Sequence, residues 1–285
     1  MKKVGFIGVG IMGKSMVRNL MKAGFELHIY ARTKSKVEDV IGEGAQFHES
    51  IKDCVQDCDA VITIVGFPQD VEEVYFDQGN ILDSAKKGAY LIDMTTTSPQ
   101  IAEKIYAEGT KRGFHVMDAP VTGGDTGAKA GTLSILVGGE KEDYEACMPL
   151  FEAMGTNINY QGKAGCGQHC KLANQIMIAG TLSGVCEALT YAKEQGLDPE
   201  VFMKSVATGA AGSKQLDTFG PKILKDDYAP GFFMKHFIKD MKLALIEANR
   251  KGLSLDVLSM VLANYEELEQ EGYGDLGTQA LMKFY

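Results

Sequence analysis

The chain lacks any long run of one charge sign. Its 29 lysines and arginines stand against 38 aspartates and glutamates, a net charge of −9. No basic stretch is present to track a phosphate backbone, so nucleic acid is not expected as a partner. Cysteine is sparse, six residues at 54, 58, 147, 166, 170 and 186. They are too few and too scattered for a disulfide framework, and reduced thiols are expected. Cys166, His169 and Cys170 lie close together in sequence but lack the paired C-x-x-C spacing of structural zinc sites. His28, His48, His115 and His236 form no local ligand pattern, so no metal is expected. No apolar stretch approaches the roughly 20 residues that span a bilayer. The opening Lys2-Lys3 runs into glycines and Lys14 instead of a small-residue cleavage site. These absences point to a cytoplasmic protein with no membrane partner, and neither an internal repeat nor a low-complexity tract complicates the reading.

What is present begins at once. Lys2-Lys3-Val4-Gly5-Phe6-Ile7 reads as an apolar strand running into Gly8-Val9-Gly10-Ile11-Met12-Gly13, a G-x-G-x-x-G turn opening a helix. In such a turn Gly8 permits the tight bend, Gly10 lets the backbone approach a pyrophosphate, and Gly13 lets helix and strand pack closely. The helix N-terminus, at Ile11 and Met12, supplies unpaired N–H groups and a positive dipole end. Among 33 glycines the motif alone would be weak. Its context strengthens it: Met16, Val17, Leu20 and Met21 continue an apolar helical face, Gly24 suits a helix end, and Leu27 to Tyr30 reads as a second strand. Strand, glycine turn, helix and strand make the βαβ unit that dinucleotide binding requires.

The end of that second strand bears on which dinucleotide. NAD-selective folds place an acid there for the ribose 2′-hydroxyl. Here the residues are Tyr30-Ala31-Arg32-Thr33, with no carboxylate. Arg32 and the Thr33 hydroxyl would instead hold a 2′-phosphate by charge-assisted hydrogen bonds. NADP(H) is therefore expected over NAD(H), the alternative being that Arg32 is a solvated charge or stacks on adenine.

Strand-like segments continue at 60–65, 89–93, 115–118, 133–137 and 157–160, separated by amphipathic stretches, and Ser98-Pro99 marks a helix start. This alternation predicts an α/β Rossmann-type domain, doubly wound on a mostly parallel sheet, over residues 1–163. From 164 to 285 the pattern is all helical. A long helix from about Cys166 to Gln195 is apolar or small nearly all round through Leu172 to Val185, so burial on most sides is expected, between two domains or in a subunit interface. Gly180 and Gly184 would permit close helix packing, and a homodimer or homotetramer is expected. Further helices are predicted near 199–207, 215–225, 237–251 and 255–271.

Four separated motifs carry a resemblance that covers essentially the whole chain: Gly5 to Gly13; Asp118-Ala119-Pro120-Val121-Thr122-Gly123-Gly124; Gly165-Cys166-Gly167-Gln168-His169-Cys170-Lys171-Leu172-Ala173-Asn174-Gln175; and Lys239-Asp240. Together they resemble the β-hydroxyacid dehydrogenase family, which includes 3-hydroxyisobutyrate dehydrogenase and tartronate semialdehyde reductase. The resemblance implies hydride transfer between the nicotinamide and a small 3-hydroxyacid or semialdehyde carrying a carboxylate, of the 3-hydroxyisobutyrate, tartronate semialdehyde or succinic semialdehyde type. It assigns Lys171 as the acid/base, since hydride transfer to carbon must be matched by a proton at oxygen. Asn174 and Gln175 follow at i+3 and i+4, where their amides would orient the substrate.

Thr122, Gly123 and Gly124 follow a strand end, where a hydroxyl and two backbone N–H groups would hold the substrate carboxylate; the plainer reading is a glycine turn. The family usually has serine in place of Thr122. Cofactor contacts are implied for Val65-Gly66-Phe67, where many relatives have proline in place of Gly66, for Thr96, and for Lys239, oriented by Asp240; without the resemblance Lys239 would read as a surface helix charge. An imine-reductase-like enzyme and a non-catalytic dinucleotide-binding module are the alternatives, and both typically lack the lysine found here at 171. 6-Phosphogluconate dehydrogenase shares the early motifs but has a much longer helical domain.

Overall fold

Period-two alternation of apolar residues builds a sheet covered on both faces. Its strands are β1 (Lys3–Ile7), β2 (Glu26–Tyr30), β3 (Gln46–Phe47), β4 (Ala60–Thr63), β5 (Tyr90–Asp93), β6 (His115–Asp118), β7 (Val121–Thr122), β8 (Leu133–Gly138) and β9 (Gly155–Gly162). They are described here from a computed structural model of residues 1–285. Strand order is β3-β2-β1-β4-β5-β6-β8-β7, with β9 pairing β8. The first six run parallel; β8 is antiparallel to β6 and β7 and parallel to β9.

Successive residues of each central strand serve opposite layers. Val4, Phe6, Ile62, Ile92 and Met117 pack with Met16, Val17 and Leu20 of the helix Ile11–Lys22. Ile7, Val61, Leu91 and Val116 pack on the other face with Val71, Tyr75 and Ile105 from the helices Pro68–Phe76 and Pro99–Lys111. Burying each such Val, Leu, Ile or Phe side chain contributes about 1.5–3 kcal/mol, which makes a one-residue slip of any of these strands prohibitive. The chain leaves β1 toward β2 on one side, and β4 lies on the other. This reversal opens a crevice at the carboxyl ends of β1 and β4.

The expected doubly wound, mostly parallel sheet followed by helices is the observed fold. Gly24 ends the first helix with φ +92°, and Ser98 caps the helix that Pro99 begins, its hydroxyl accepting from the Gln100 N–H. The two-residue strands β3 and β7 are unanticipated, because two residues carry no readable period.

The chain divides into two compact units, Met1–Lys171 and Leu172–Tyr285. The long helix Cys166–Glu194 starts in the first and continues through the second, so the division falls within it, whereas the sequence placed a boundary at 163/164. In the second unit Leu172, Ala179, Leu182, Cys186 and Leu189 of this helix share a core with Phe237, Met241 and Tyr265 from the helices Met234–Arg250 and Asp256–Gln270. Phe237 and Tyr265 meet edge to face at 5.3 Å, and the Tyr265 hydroxyl donates to Thr278 O at 2.7 Å.

One expectation about the long helix needs correction. By length and composition it is apolar enough to cross a membrane, because small and apolar residues that pack a core pass the same test; part of its surface belongs to the second unit's core. Its own unit covers only one side of it. Ala173, Met177, Gly184 and Tyr191 form an open stripe, with Met177 73% and Tyr191 67% exposed, because the core of its own unit covers the opposite face.

Candidate active site

The three glycines of the first turn have three different surroundings. Gly8 has φ +96°, and a Cβ there would lie 2.0 Å from Ile64 O. A Cβ on Gly13 would lie 2.2 Å from Gly8 O, so the helix seats directly on the turn. At Gly10 nothing lies within 4 Å of the Cβ position, and no side chain caps the helix that follows. The first helical N–H groups, from Ile11 and Met12, are thus free of a side-chain cap beside an open face, the donor set that suits a pyrophosphate.

Around the crevice, distant segments are tied together. Arg32, after β2, meets Asp70 at 3.1 Å, and Asp70 also accepts the Phe67 N–H at 2.9 Å. One carboxylate therefore joins Arg32 to the Val65–Phe67 loop, and Thr33 begins the next short turn. The Val65 N–H donates to the Thr95 hydroxyl at 3.0 Å, while the Thr95 N–H and the Thr63 hydroxyl donate to the same Asp93 oxygen at 3.1 and 2.8 Å. The Tyr75 hydroxyl lies 3.2 Å from that of Thr63. Burial raises the Asp93 carboxyl to about 6, against the hydrogen bonds from Thr95 and Thr63.

Thr96 stands between two pinned residues. The buried Gln168 side chain accepts the Thr97 N–H at 3.0 Å and donates to Thr95 O at 2.7 Å. Gln168 lies in the first turn of the long helix, where Asp118 holds the backbone: its carboxylate accepts Gly165 N–H at 2.7 Å and Gln168 N–H at 2.8 Å. Burial raises the Asp118 pKa and these two backbone N–H groups oppose the rise. Only glycine fits where the helix meets the sheet, since a Cβ on Gly167 would come within 2.3 Å of Leu136 O. Lys171, one turn beyond Gln168, is buried at 8% exposure. Also in this unit, Thr122 pairs with Ser134 in the β7–β8 register, and Gly123 and Gly124 take φ +127° and +64° as the chain enters the helix Gly124–Ala130.

The second unit holds its own polar chain. Asn174 Nδ2 donates to Gln175 Oε1 at 2.8 Å, and Gln175 Nε2 donates to Asp240 Oδ2 at 2.7 Å. The Lys239 ammonium lies 3.0 Å from Asp240 Oδ1, at ion-pair distance without hydrogen-bond alignment. Asp240 and Gln175 are buried, and Lys239 supplies the countercharge to Asp240 within the unit.

The sequence and the fold have counterparts in known proteins. Residues 3–162 match the NAD binding domain of 6-phosphogluconate dehydrogenase, and residues 165–285 match the family described as NAD-binding of NADP-dependent 3-hydroxyisobutyrate dehydrogenase. The chain belongs to the β-hydroxyacid dehydrogenase family. It is 49% identical over 284 residues to an uncharacterised oxidoreductase of Bacillus subtilis, covering 100% of this chain and 99% of that one. It is 34% identical over 292 residues to the NAD-dependent L-serine dehydrogenase of Pseudomonas aeruginosa, covering 100% and 98%. The structure of Mycobacterium tuberculosis 3-hydroxyisobutyrate dehydrogenase with L-serine superposes with a TM-score of 0.91 at 26% identity, covering 99% and 98%.

This dehydrogenase is thus an oxidoreductase acting on CH–OH groups with a nicotinamide dinucleotide. Sequence reasoning placed Asp118 and Gln168 within motifs without giving them work, and passed over Thr63, Asp70 and Asp93. For Gln168 the available signal was its i−3 spacing from Lys171; for Asp70 there was none.

The raised Asp93 carboxyl has a consequence for stability. The folded protein keeps the proton to about pH 6, whereas an unfolded aspartate releases it near 3.9. Asp93 therefore favours folding below pH 4 and loses that contribution as pH rises through 6, a change of about 3 kcal/mol. Asp93→Asn, which keeps an acceptor and cannot ionise, should gain about that much relative to the wild type between pH 4 and pH 7, measured by denaturant unfolding of the two proteins. Parallel pH curves would contradict the assignment.

Proposed function

We propose that this dehydrogenase transfers a hydride between NADP(H) and a small 3-hydroxyacid or semialdehyde bearing a carboxylate, of the 3-hydroxyisobutyrate, tartronate semialdehyde or succinic semialdehyde type, with Lys171 as the general acid/base. The observation that carries this reading is a buried lysine one helical turn beyond the side chain that grips both neighbours of Thr96. When bound, the nicotinamide supplies or accepts the hydride. The Lys171 ammonium donates a proton to the carbonyl oxygen during reduction, and the amine takes it back from the hydroxyl during oxidation, so charge never has to accumulate on oxygen.

The Thr122 hydroxyl and the Gly123 and Gly124 N–H groups receive the substrate carboxylate. Gln175 is engaged at both ends of its amide and holds Asn174, the amide that reaches the substrate. Lys239 contacts the cofactor, oriented by Asp240. Gly8, Gly10, Ile11, Met12 and Gly13 hold the pyrophosphate, with Val65, Gly66, Phe67 and Thr96 along the nicotinamide side. L-serine, which accompanies the Mycobacterium enzyme in its solved structure, is itself a carboxylate with a 3-hydroxyl and supports the substrate class.

Arg32 and Thr33 select the 2′-phosphate. Arg32 is 70% exposed and its surface pair with Asp70 holds it weakly, so a phosphate displaces the carboxylate at small cost. The open stripe on the long helix, with exposed Val257 and Met260 in the same unit, is covered by a second copy of the chain in a homodimer or homotetramer.

Three measurements test these assignments. Lys171→Ala should lower kcat by about 10²- to 10⁴-fold with NADPH affinity by fluorescence unchanged; retained turnover would refute the proton-transfer role. Arg32→Ala should raise KM for NADPH by about 10- to 100-fold and leave KM for NADH unaltered; an unchanged cofactor preference removes Arg32 from the selection. Met177→Glu should shift the mass in light scattering toward that of one chain, and an unaltered assembly would place the interface elsewhere.

A further inference from the structure

We propose that Gln168 is a positioning residue that sets the register between Lys171 and the Thr95–Thr97 loop, so that proton transfer and cofactor binding share one rigid link. The proposal rests on the reading of Lys171 as the acid/base. Gln168 is fully buried, and its amide is spent on the two peptide groups flanking Thr96: the oxygen accepts Thr97 N–H and the nitrogen donates to Thr95 O. Only one orientation of the amide satisfies both, because a peptide N–H needs an acceptor and a carbonyl needs a donor.

The backbone of the same residue is held by Asp118, and Gly167 and Gly138 admit no Cβ at the contact between helix and sheet. Gln168 is therefore fixed at both its main chain and its side chain. Lys171 follows three residues later on the same rigid helix, so a shift of the loop relative to Gln168 is a shift relative to the root of the lysine. A misplacement of about 1 Å is enough to cost about 100-fold in rate. Because Thr95 also receives the Val65 N–H, the link extends to the loop after β4.

The test compares Gln168→Met, which fills the space without either hydrogen bond, with Gln168→Glu, whose carboxylate faces Thr95 O without a proton to donate but regains a donor when protonated. Amide exchange at Thr97 is measured by mass spectrometry on the whole protein. Kinetics are measured with NADPH and tartronate semialdehyde, with NADP and 3-hydroxyisobutyrate, and with NADP and L-serine. Gln168→Met should speed exchange at Thr97 and lower kcat by about 10- to 100-fold with a smaller change in substrate KM. The Gln168→Glu rate, as a ratio to the wild type, should recover at least about tenfold as pH falls from about 8 to about 5.5, while the Gln168→Met ratio stays flat.

Unchanged exchange at Thr97 overturns the clamp. Faster exchange with unchanged kcat, or no pH recovery in Gln168→Glu, overturns its role in positioning. An active Lys171→Ala, or a wild type inactive on all three substrates, overturns the acid/base reading and with it the catalytic part of this proposal, leaving the clamp to be judged by exchange alone.

Discussion

A buried carboxylate at the end of β6 holds the start of the long helix, and the arrangement of the first unit's polar groups follows from it. Helix N-termini present N–H groups without intrahelical partners, and a local Ser, Thr, Asp or Asn usually satisfies them. Here the residue before the helix is Gly165, which has no side chain to offer. Asp118 replaces the missing cap from 47 residues away, accepting from Gly165 and Gln168. A negative charge at this end also meets the positive end of the helix dipole. The price is a desolvated carboxylate, which is why its proton affinity rises even with two backbone donors in place. The bare glycine at 165 and the closely packed glycines at 138 and 167 belong to the same solution: they clear the space that lets a sheet residue act as the cap.

The crevice is organised the same way, by side chains that bind backbone. Asp93 gathers Thr63 and Thr95, Thr95 gathers Val65, Asp70 gathers Phe67 and Arg32, and Gln168 gathers both sides of Thr96. Loops at strand ends have no ladder to satisfy their peptide groups, and buried peptide groups must find partners. Supplying those partners from side chains on neighbouring strands and helices converts loops into defined surfaces. The second unit links side chains instead, with Gln175 between Asn174 and Asp240. In each case one polar group is backed by another that is itself held by hydrogen bonds, which limits how far it can stray.

Much of this molecule was legible in local pattern. The glycine turn, the apolar alternation of β1, β4 and β5, the Ser98-Pro99 helix start and the long helix all announce themselves within windows of a dozen residues, because strand and helix periods are local properties. The antiparallel return of β8 and the two-residue strands β3 and β7 did not, since pairing partners are chosen across the sheet. The long helix shows the limit most clearly. Its composition predicts burial on most sides, but composition does not reveal which face its own unit covers and which, the stripe through Ala173, Met177, Gly184 and Tyr191, it leaves open. Arg32 shows another limit: no acid lies near it in sequence, and the fold brings Asp70 to it.

The order of the longer strands and helices, the glycine turn and the family to which the chain belongs are all written in the linear chain, because each rests on residues adjacent along the backbone or on motifs read in order. It took the folded chain to show that Asp118 caps a helix far along the chain, that Gln168 grips the Thr95–Thr97 loop, and that Asp93 is buried with Thr63 and Thr95 bonded to it. Hydrogen bonds depend on distances of about 3 Å, and residues far apart in sequence reach such distances only after the hydrophobic layers have brought their strands and helices into register.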